Sequence, residues 1–495
     1  MNLTLRIPRA RLAASLLACL ALTGCWGGGD GTANIAYIGQ PEDMFSTGLR
    51  LSGAGQQVRS ATSEGLVALD EHGEIVPALA ERWIVTDDGL SYIFRLRDIS
   101  LPGGKPMTAK TVRDALLRSR RQLAGTSLAL DLAKVTDIRA MTGRVIEVRL
   151  ASPMPDLLQV LAQPEMGLRI DGKGTGPMAL RRDGNVAVLT PIPPERRGLP
   201  EEPDWADRTR EVHLRALGPK AAVAAFNAGE VDTVLGGTIA NLPLADAGPL
   251  SRGTLRLDAV LGLFGLRVTT NQGFLETSAN REALAMAIDR DALVKPFNIG
   301  GWVPTTRIVP ANMPEESETI GERWSDLSMD QRIAIASGRV ADWQRARGQQ
   351  VTLRVGLPSG PGSDLLYARL AADFKAIGVT LRKAGMGEGA ELELVDRPAR
   401  FAGPRWFLNQ LNCSVGMVIC SRIADGKVAQ AVATNDPAER KALLAEAETE
   451  LTLLNGYIPF GAPIRWSMVR GDVTGFADNR WAIHPLYPFA VDPIS

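Results

Sequence analysis

The chain is poor in the residues that staple or ligate: 495 residues include only four cysteines and three histidines, His72, His213 and His484, far apart in sequence. A closed zinc site needs four ligands, and no histidine stands near the C-terminal cysteines, so no metal or other cofactor is expected. Charge of one sign is also missing. Lys plus Arg and Asp plus Glu both number 55, which argues against nucleic acid or an anionic lipid surface as partner. After the N-terminus no apolar run reaches 18 residues, so nothing further on is expected to span a membrane. There is no G-x-S-x-G nucleophile elbow and no H-E-x-x-H pair. Gly172-Lys173-Gly174-Thr175-Gly176 looks superficially like a phosphate loop, but Pro177 follows and no Gly-Lys-Ser/Thr ending leads into a helix, so it reads as a turn. No catalytic residue is assigned, and a hydrolase is the weakest reading.

What is present begins at the N-terminus. Arg6, Arg9 and Arg11 precede an apolar run from Leu12 to Leu22, followed by Leu22-Thr23-Gly24-Cys25. At about 1.5 Å per residue that run spans roughly 16 Å against a hydrocarbon core of roughly 30 Å, so it is too short to cross a bilayer. The order is that of a bacterial lipoprotein export signal, residues 1–24, with Cys25 as the lipidated first residue of the mature protein. An ordinary secretory signal with an incidental cysteine is the competing reading. Two or more acyl chains give stable anchoring where one is marginal, and the glycine-rich spacer over residues 25–33 gives a reach of about 15 Å. The expected location is the periplasm, with the membrane touched through the lipid alone. In that oxidising compartment Cys413 and Cys420 are expected to form a disulfide, which contributes about 2.5 kcal/mol in the chain-entropy model.

The mature length exceeds what one core supports, and two or three domains are expected. Strand-like and helix-like segments alternate throughout, an α/β pattern. Tyr92–Leu96 and Val145–Leu150 read as strands, and Thr108 as the cap of a helix burying Val112, Ala115 and Leu116. Gly218-Pro219 opens a short helix that Gly229 ends, and Ser278 caps another. Val351–Leu357, a helix over 363–377 and Val379–Lys383 form a βαβ unit with parallel strands. Asp436-Pro437-Ala438-Glu439 reads as a capping box heading a helix that buries Leu443, Leu444, Ala447, Leu451 and Leu454.

Several segments in collinear order resemble one family. They are Ala61–Asp70 with Ile75–Trp83 and Asp87–Tyr92, Gly104-Lys105-Pro106-Met107-Thr108-Ala109, Gly174-Thr175-Gly176-Pro177, Gly229-Glu230-Val231-Asp232, and Ala287-Ile288-Asp289-Arg290-Asp291-Ala292-Leu293-Val294. Asp436–Glu450, Ile458-Pro459 and Gly475-Phe476 close the series. Together they resemble solute-binding protein family 5, the oligopeptide-, dipeptide- and nickel-binding lipoproteins that feed ABC importers. The resemblance implies a two-lobed α/β clamshell with an extra inserted subdomain. Its expected parts are a discontinuous first lobe (34–60, 165–270 and 466–495), an insert (61–164) and a second lobe (271–465), with two connections acting as a hinge.

The resemblance also implies a carboxylate that pairs with a peptide's ammonium. Asp396 is the best candidate, although the tryptophan and Asp-Tyr pair of the family motif are missing around it, and an ion pair with Arg397 or Arg400 is the competing account. Arg405 is a candidate for a ligand carboxylate, against a structural or solvated role. Trp406 and Trp302 are candidate pocket walls, against ordinary core packing. The function expected is capture of a peptide in the periplasm and delivery, by a monomer, to an ABC permease and its ATPase. Another small polar solute, or a non-transporting scaffold or sensor on the same fold, are the alternatives.

Overall fold

The computed structural model describes residues 31–100, 104, 106–245, 253–311, 313–315 and 320–491. The segment read as an export signal, 1–24, and Cys25 lie outside the described residues. A seven-stranded mixed sheet runs in the order Met178–Asp183, Val186–Pro191, Glu211–Leu217, Thr32–Ile38, Thr233–Thr238, Arg465–Val469, Leu255–Asp258. Its parallel pair sets Ile35 against Thr233, and the other pairs are antiparallel where their register is defined. A five-stranded sheet runs Val379–Gly385, Val351–Leu357, Leu392–Pro398, Gly262–Val268, Tyr457–Gly461. The chain passes from the first sheet to the second between Asp258 and Gly262, and returns between Gly461 and Arg465. A four-stranded antiparallel sheet, Ala80–Val85, Ser91–Leu96, Val145–Leu150, Val135–Ala140, lies within the stretch read as an insert.

Local chemistry explains the elements. The Thr108 hydroxyl accepts from Thr111 N and starts helix Ala109–Gln122, whose Val112, Ala115 and Leu116 are buried. The βαβ unit forms with Val351 beside Val379 and helix Pro361–Ala376 between the strands. Two caps differ from expectation. The cap of helix Ser278–Ala287 is Thr277, one residue earlier, with its side chain accepting from Asn280 N. Asp436 does cap helix Pro437–Leu454, accepting from Ala438 N and Glu439 N, but Glu439 takes a bond from the Thr434 hydroxyl and does not complete a reciprocal box. That helix buries Leu444, Ala447 and Leu451, while Leu443 is half-buried.

The Gly174-Thr175-Gly176-Pro177 turn is a packing device with no phosphate-loop geometry. A Cβ at residue 174 would lie 1.9 Å from the Thr62 carbonyl oxygen, and one at 176 only 2.4 Å from Ser63 N. Gly176 N donates to Thr62 O, and the Thr175 hydroxyl to the carbonyls of Glu64 and Leu168. Strand Met178–Asp183 follows, where a phosphate loop needs a helix.

One hydrophobic cluster runs continuously beneath both large sheets, from Ala36 and Val234 through Phe264 and Leu266 to Phe460 and Trp466. Phe264 and Phe460 meet edge to face with centroids 5.5 Å apart, and burying each side chain of this size contributes about 1.5–3 kcal/mol. A second cluster joins the four-stranded sheet to Phe401, Trp406, Phe407 and Leu444. Among the described residues no helix is long and apolar enough to cross a membrane.

Candidate functional site

Two glycines build the floor of a cleft between the large sheets. Gly236 and Gly237 end strand Thr233–Thr238, where the register with Arg465–Val469 shifts between Val234 and Gly237. Gly236 holds φ +80°, which favours glycine, and a Cβ there would fall 2.6 Å from the Tyr37 ring. A Cβ at 237 would fall 2.2 Å from the indole of Trp466. The missing side chains let both aromatics lie flat against backbone, and Trp466 Nε1 donates to Thr238 O and Asn241 Oδ1.

Above this floor is a cavity of about 640 Å³. The seven-stranded sheet contributes Tyr37, Gly236, Gly237, Arg465 and Trp466; the five-stranded sheet contributes Leu263, Arg267, Val395 and Arg397; and Arg50, Gln56, Glu165, Arg400 and Gln410 close it from connecting segments. Its volume falls within the roughly 300–1,000 Å³ of small-molecule sites.

The lining is cationic, and most of its charges are already paired. Arg465 Nη1 donates to Asp396 Oδ1 at 2.6 Å. Arg400 donates from Nε and Nη2 to Asp131 Oδ2, at 2.8 and 2.6 Å. Arg267 pairs with Glu393, and Asp258 holds His484 Nε2 at 3.2 Å. Arg397 has a single bond, Nη1 to Gln410 Oε1 at 2.8 Å, and Arg50 has no bonded partner among the described residues. Glu165 accepts from Gln56 Nε2 through Oε1, and its other oxygen is buried without a partner.

None of the four residues singled out from the sequence lines this cavity. Asp396 spans the two large sheets as the partner of Arg465, beside the returning connection, so its charge is committed; the partner is neither Arg397 nor Arg400. Arg405 is buried, donating to the carbonyls of Leu130 and Asp131, and burial holds its guanidinium below the ordinary arginine range. Trp406 is 0% exposed and packs edge to face on Phe407. Trp302 lies over Gly461, with Nε1 donating to Ala462 O, and so covers the return connection. Cys413 and Cys420 are joined as a disulfide with Cα atoms 5.3 Å apart. The residues the sequence reading missed are Tyr37, Arg397, Arg400, Arg465 and Trp466. The usable signal was Gly236-Gly237 inside a strand pattern, a mark of close backbone approach.

Outside the cavity lining, half-buried Asp156 lies within electrostatic reach of buried Lys134 and Arg405. Burial outweighs the attraction of Arg405 and Lys134 and pushes the Asp156 carboxyl up to about 6, while burial brings Lys134 down to about 8. The folded protein thus binds the Asp156 proton more tightly than the unfolded chain. That contribution to stability is complete below the ordinary carboxylate value of about 4 and is lost as pH rises through about 6. Asp156→Asn is expected to melt above the parent protein at pH 7.5, by a margin that shrinks towards pH 4.5. Melting temperature against pH checks this, and a margin that widens on acidification contradicts it. Among the described residues no group of three or more His, Cys, Asp or Glu could hold a metal ion.

The profile described as "Bacterial extracellular solute-binding proteins, family 5 Middle" matches residues 74–182 and 198–402. The nickel-binding periplasmic protein of Escherichia coli K12 is 22% identical over 90% of this chain and 91% of its own length. The glutathione-binding protein GsiB of Escherichia coli O1:K1 is 23% identical over 85% and 87%. Haemophilus influenzae OppA, solved in complex with the peptide RPPGFSPFR, superimposes with a TM-score of 0.78 at 17% identity, covering 93% of this chain and 99% of that one. With the family pattern matched over more than half its length, the chain belongs to the bacterial extracellular solute-binding proteins, family 5, and has the mixed α/β fold of their two-lobed periplasmic members.

Proposed function

We propose that this protein is the periplasmic receptor of an ABC importer, tethered by lipid at Cys25, which closes two lobes over a peptide and presents it to a permease and ATPase. The observation that carries this reading is the 640 Å³ cavity, lined from both large sheets, which two connections of the main chain join. The lobes in this reading are 34–60 with 165–258 and 465–495 against 262–461, with 61–164 as the insert; the crossing lies earlier than the expected 270 because strand Gly262–Val268 pairs in the five-stranded sheet. The sheet-to-sheet passages at 259–261 and 462–464 are the hinge, and ligand contacts made by both lobes favour the closed form. Peptide is the favoured cargo because relatives on the same fold are described as binding glutathione and a nonapeptide, and both ligands are peptides.

Calorimetry with a set of free tripeptides tests the reading. A bound peptide at 100 times its dissociation constant adds about 2.7 kcal/mol to stability, enough to raise the melting temperature by several degrees. Small-angle scattering should show the particle contract on binding. If no peptide produces heat or a melting shift at millimolar concentration, peptide cargo is wrong, and another polar solute or a non-transporting scaffold takes its place.

A further inference from the structure

We infer that the Cys413–Cys420 disulfide positions part of the cargo site: it holds Val415 and Met417 as an apolar wall and so favours cargo with an apolar side chain. This rests on the receptor reading and deepens it. Helix Pro404–Gln410 ends at the cavity, where Gln410 and Leu411 line it, and the chain then turns through a short loop whose Val415 and Met417 line it too. The disulfide closes that loop across a sequence separation of seven, and both cysteines are half-buried. Little else fixes it. Val415 N donates to Asn412 O, and Cys413 N donates to Asp425 Oδ2 at 3.2 Å, so the first half is held by its own turn and by one bond to helix Arg422–Ala433. From Met417 to Cys420 the main chain donates no hydrogen bond among the described residues. Ile419 lies against Gly456, where a Cβ would fall 2.7 Å from its side chain, and Met417 packs on the cluster that contains Leu411 and Phe407. Ordering an open loop against cargo costs conformational entropy at the moment of binding, and closing the loop in advance removes that cost. The wall suits apolar groups: valine offers no hydrogen bond, and the unbranched thioether of methionine adapts its shape to what it meets.

The test uses the full chain and two free tripeptides, Ala-Leu-Ala and Ala-Ala-Ala, titrated by calorimetry into the parent protein, the parent reduced with dithiothreitol, and four variants. In the parent, the leucine peptide is expected to bind about tenfold more tightly than trialanine. Cys413→Ser with Cys420→Ser should bring the two within about twofold by weakening the leucine peptide, while trialanine, whose methyl groups gain little from the wall, stays within about twofold of its parent value. Reduction should do the same without a change of sequence, which keeps the comparison decisive if the double variant folds poorly. Met417→Ala should remove the preference as the serine pair does, and adding it to the serine pair should change affinity by less than about twofold, because both act on one wall. Val418→Ala, 53% exposed on the same loop and outside the cavity lining, should keep the full preference. A purely structural disulfide lowers the melting temperature on removal but leaves the ratio of the two affinities as it was. An unchanged ratio, equal weakening of both peptides, or no preference in the parent overturns the inference and leaves the receptor reading standing. Failure of the parent to bind any free tripeptide removes both.

Discussion

Asp131→Ala is expected to lower the unfolding free energy by about 3 kcal/mol, measured by urea denaturation with an unchanged slope. Asp131 is 0% exposed and receives Arg400 on one oxygen and Asn409 Nδ2 on the other, at 2.8 Å. Its own carbonyl accepts from buried Arg405. These partners come from the segment 400–409, so a single residue of helix Ser127–Asp131 ties the four-stranded region to helix Pro404–Gln410. Truncation leaves Arg400 near the core without its counter-ion, and removing one partner of a buried pair costs about 3–5 kcal/mol. The lower end applies because the Arg400 side chain keeps 18% exposure and some access to water. Asp131→Asn keeps the shape and the bond from Asn409 is weakened, so an intermediate loss is expected. A loss below about 1 kcal/mol for the alanine variant would mean that apolar packing around Trp406 and Phe407 holds this junction alone.

Trp466→Ala is expected to cost about 3–5 kcal/mol and to abolish ligand binding. The indole is 1% exposed, lies against Gly237 and donates to Thr238 O and Asn241 Oδ1. Because residue 237 has no side chain, nothing can collapse into the space, and the cost should sit at the upper end of the large-to-small range. Trp466→Phe fills most of the volume and removes the indole donor, while Thr238 O keeps Asn241 N and Asn241 Oδ1 keeps Thr238 N, so about 1 kcal/mol is expected. Comparing the two variants by denaturation and by calorimetry with a bound tripeptide separates floor shape from the hydrogen bonds beneath it. Full stability of Trp466→Ala would contradict this account of the floor.

Much of the scaffold was readable because its causes are local. Thr108, Asp436 and Gly229 act on backbone groups within four residues, and the βαβ unit follows from apolar spacing over 35 residues. The role of Gly174-Thr175-Gly176 as a turn was legible, though not its contact with Thr62, over a hundred residues away. The site was much less legible. Asp396, Arg405 and Trp406 were chosen as residues whose chemistry suits a ligand, and that chemistry suits a buried partner equally well. Arg465 is 69 residues from Asp396, and Leu130 lies 275 residues from Arg405. Which of several arginines keeps its charge free depends on where every carboxylate lands, and no spacing rule carries that information.

The sequence by itself determined the class of the chain, an α/β solute-binding protein of family 5, because caps, strands and collinear family segments are written in neighbouring residues. Only the tertiary structure decided which charges face the cleft, committing Asp396 to Arg465 and Asp131 to Arg400 while leaving Arg397 open. The physical reason is that a buried charge must find its partner wherever the fold brings one, and electrostatic energy depends on distance in space rather than separation along the chain.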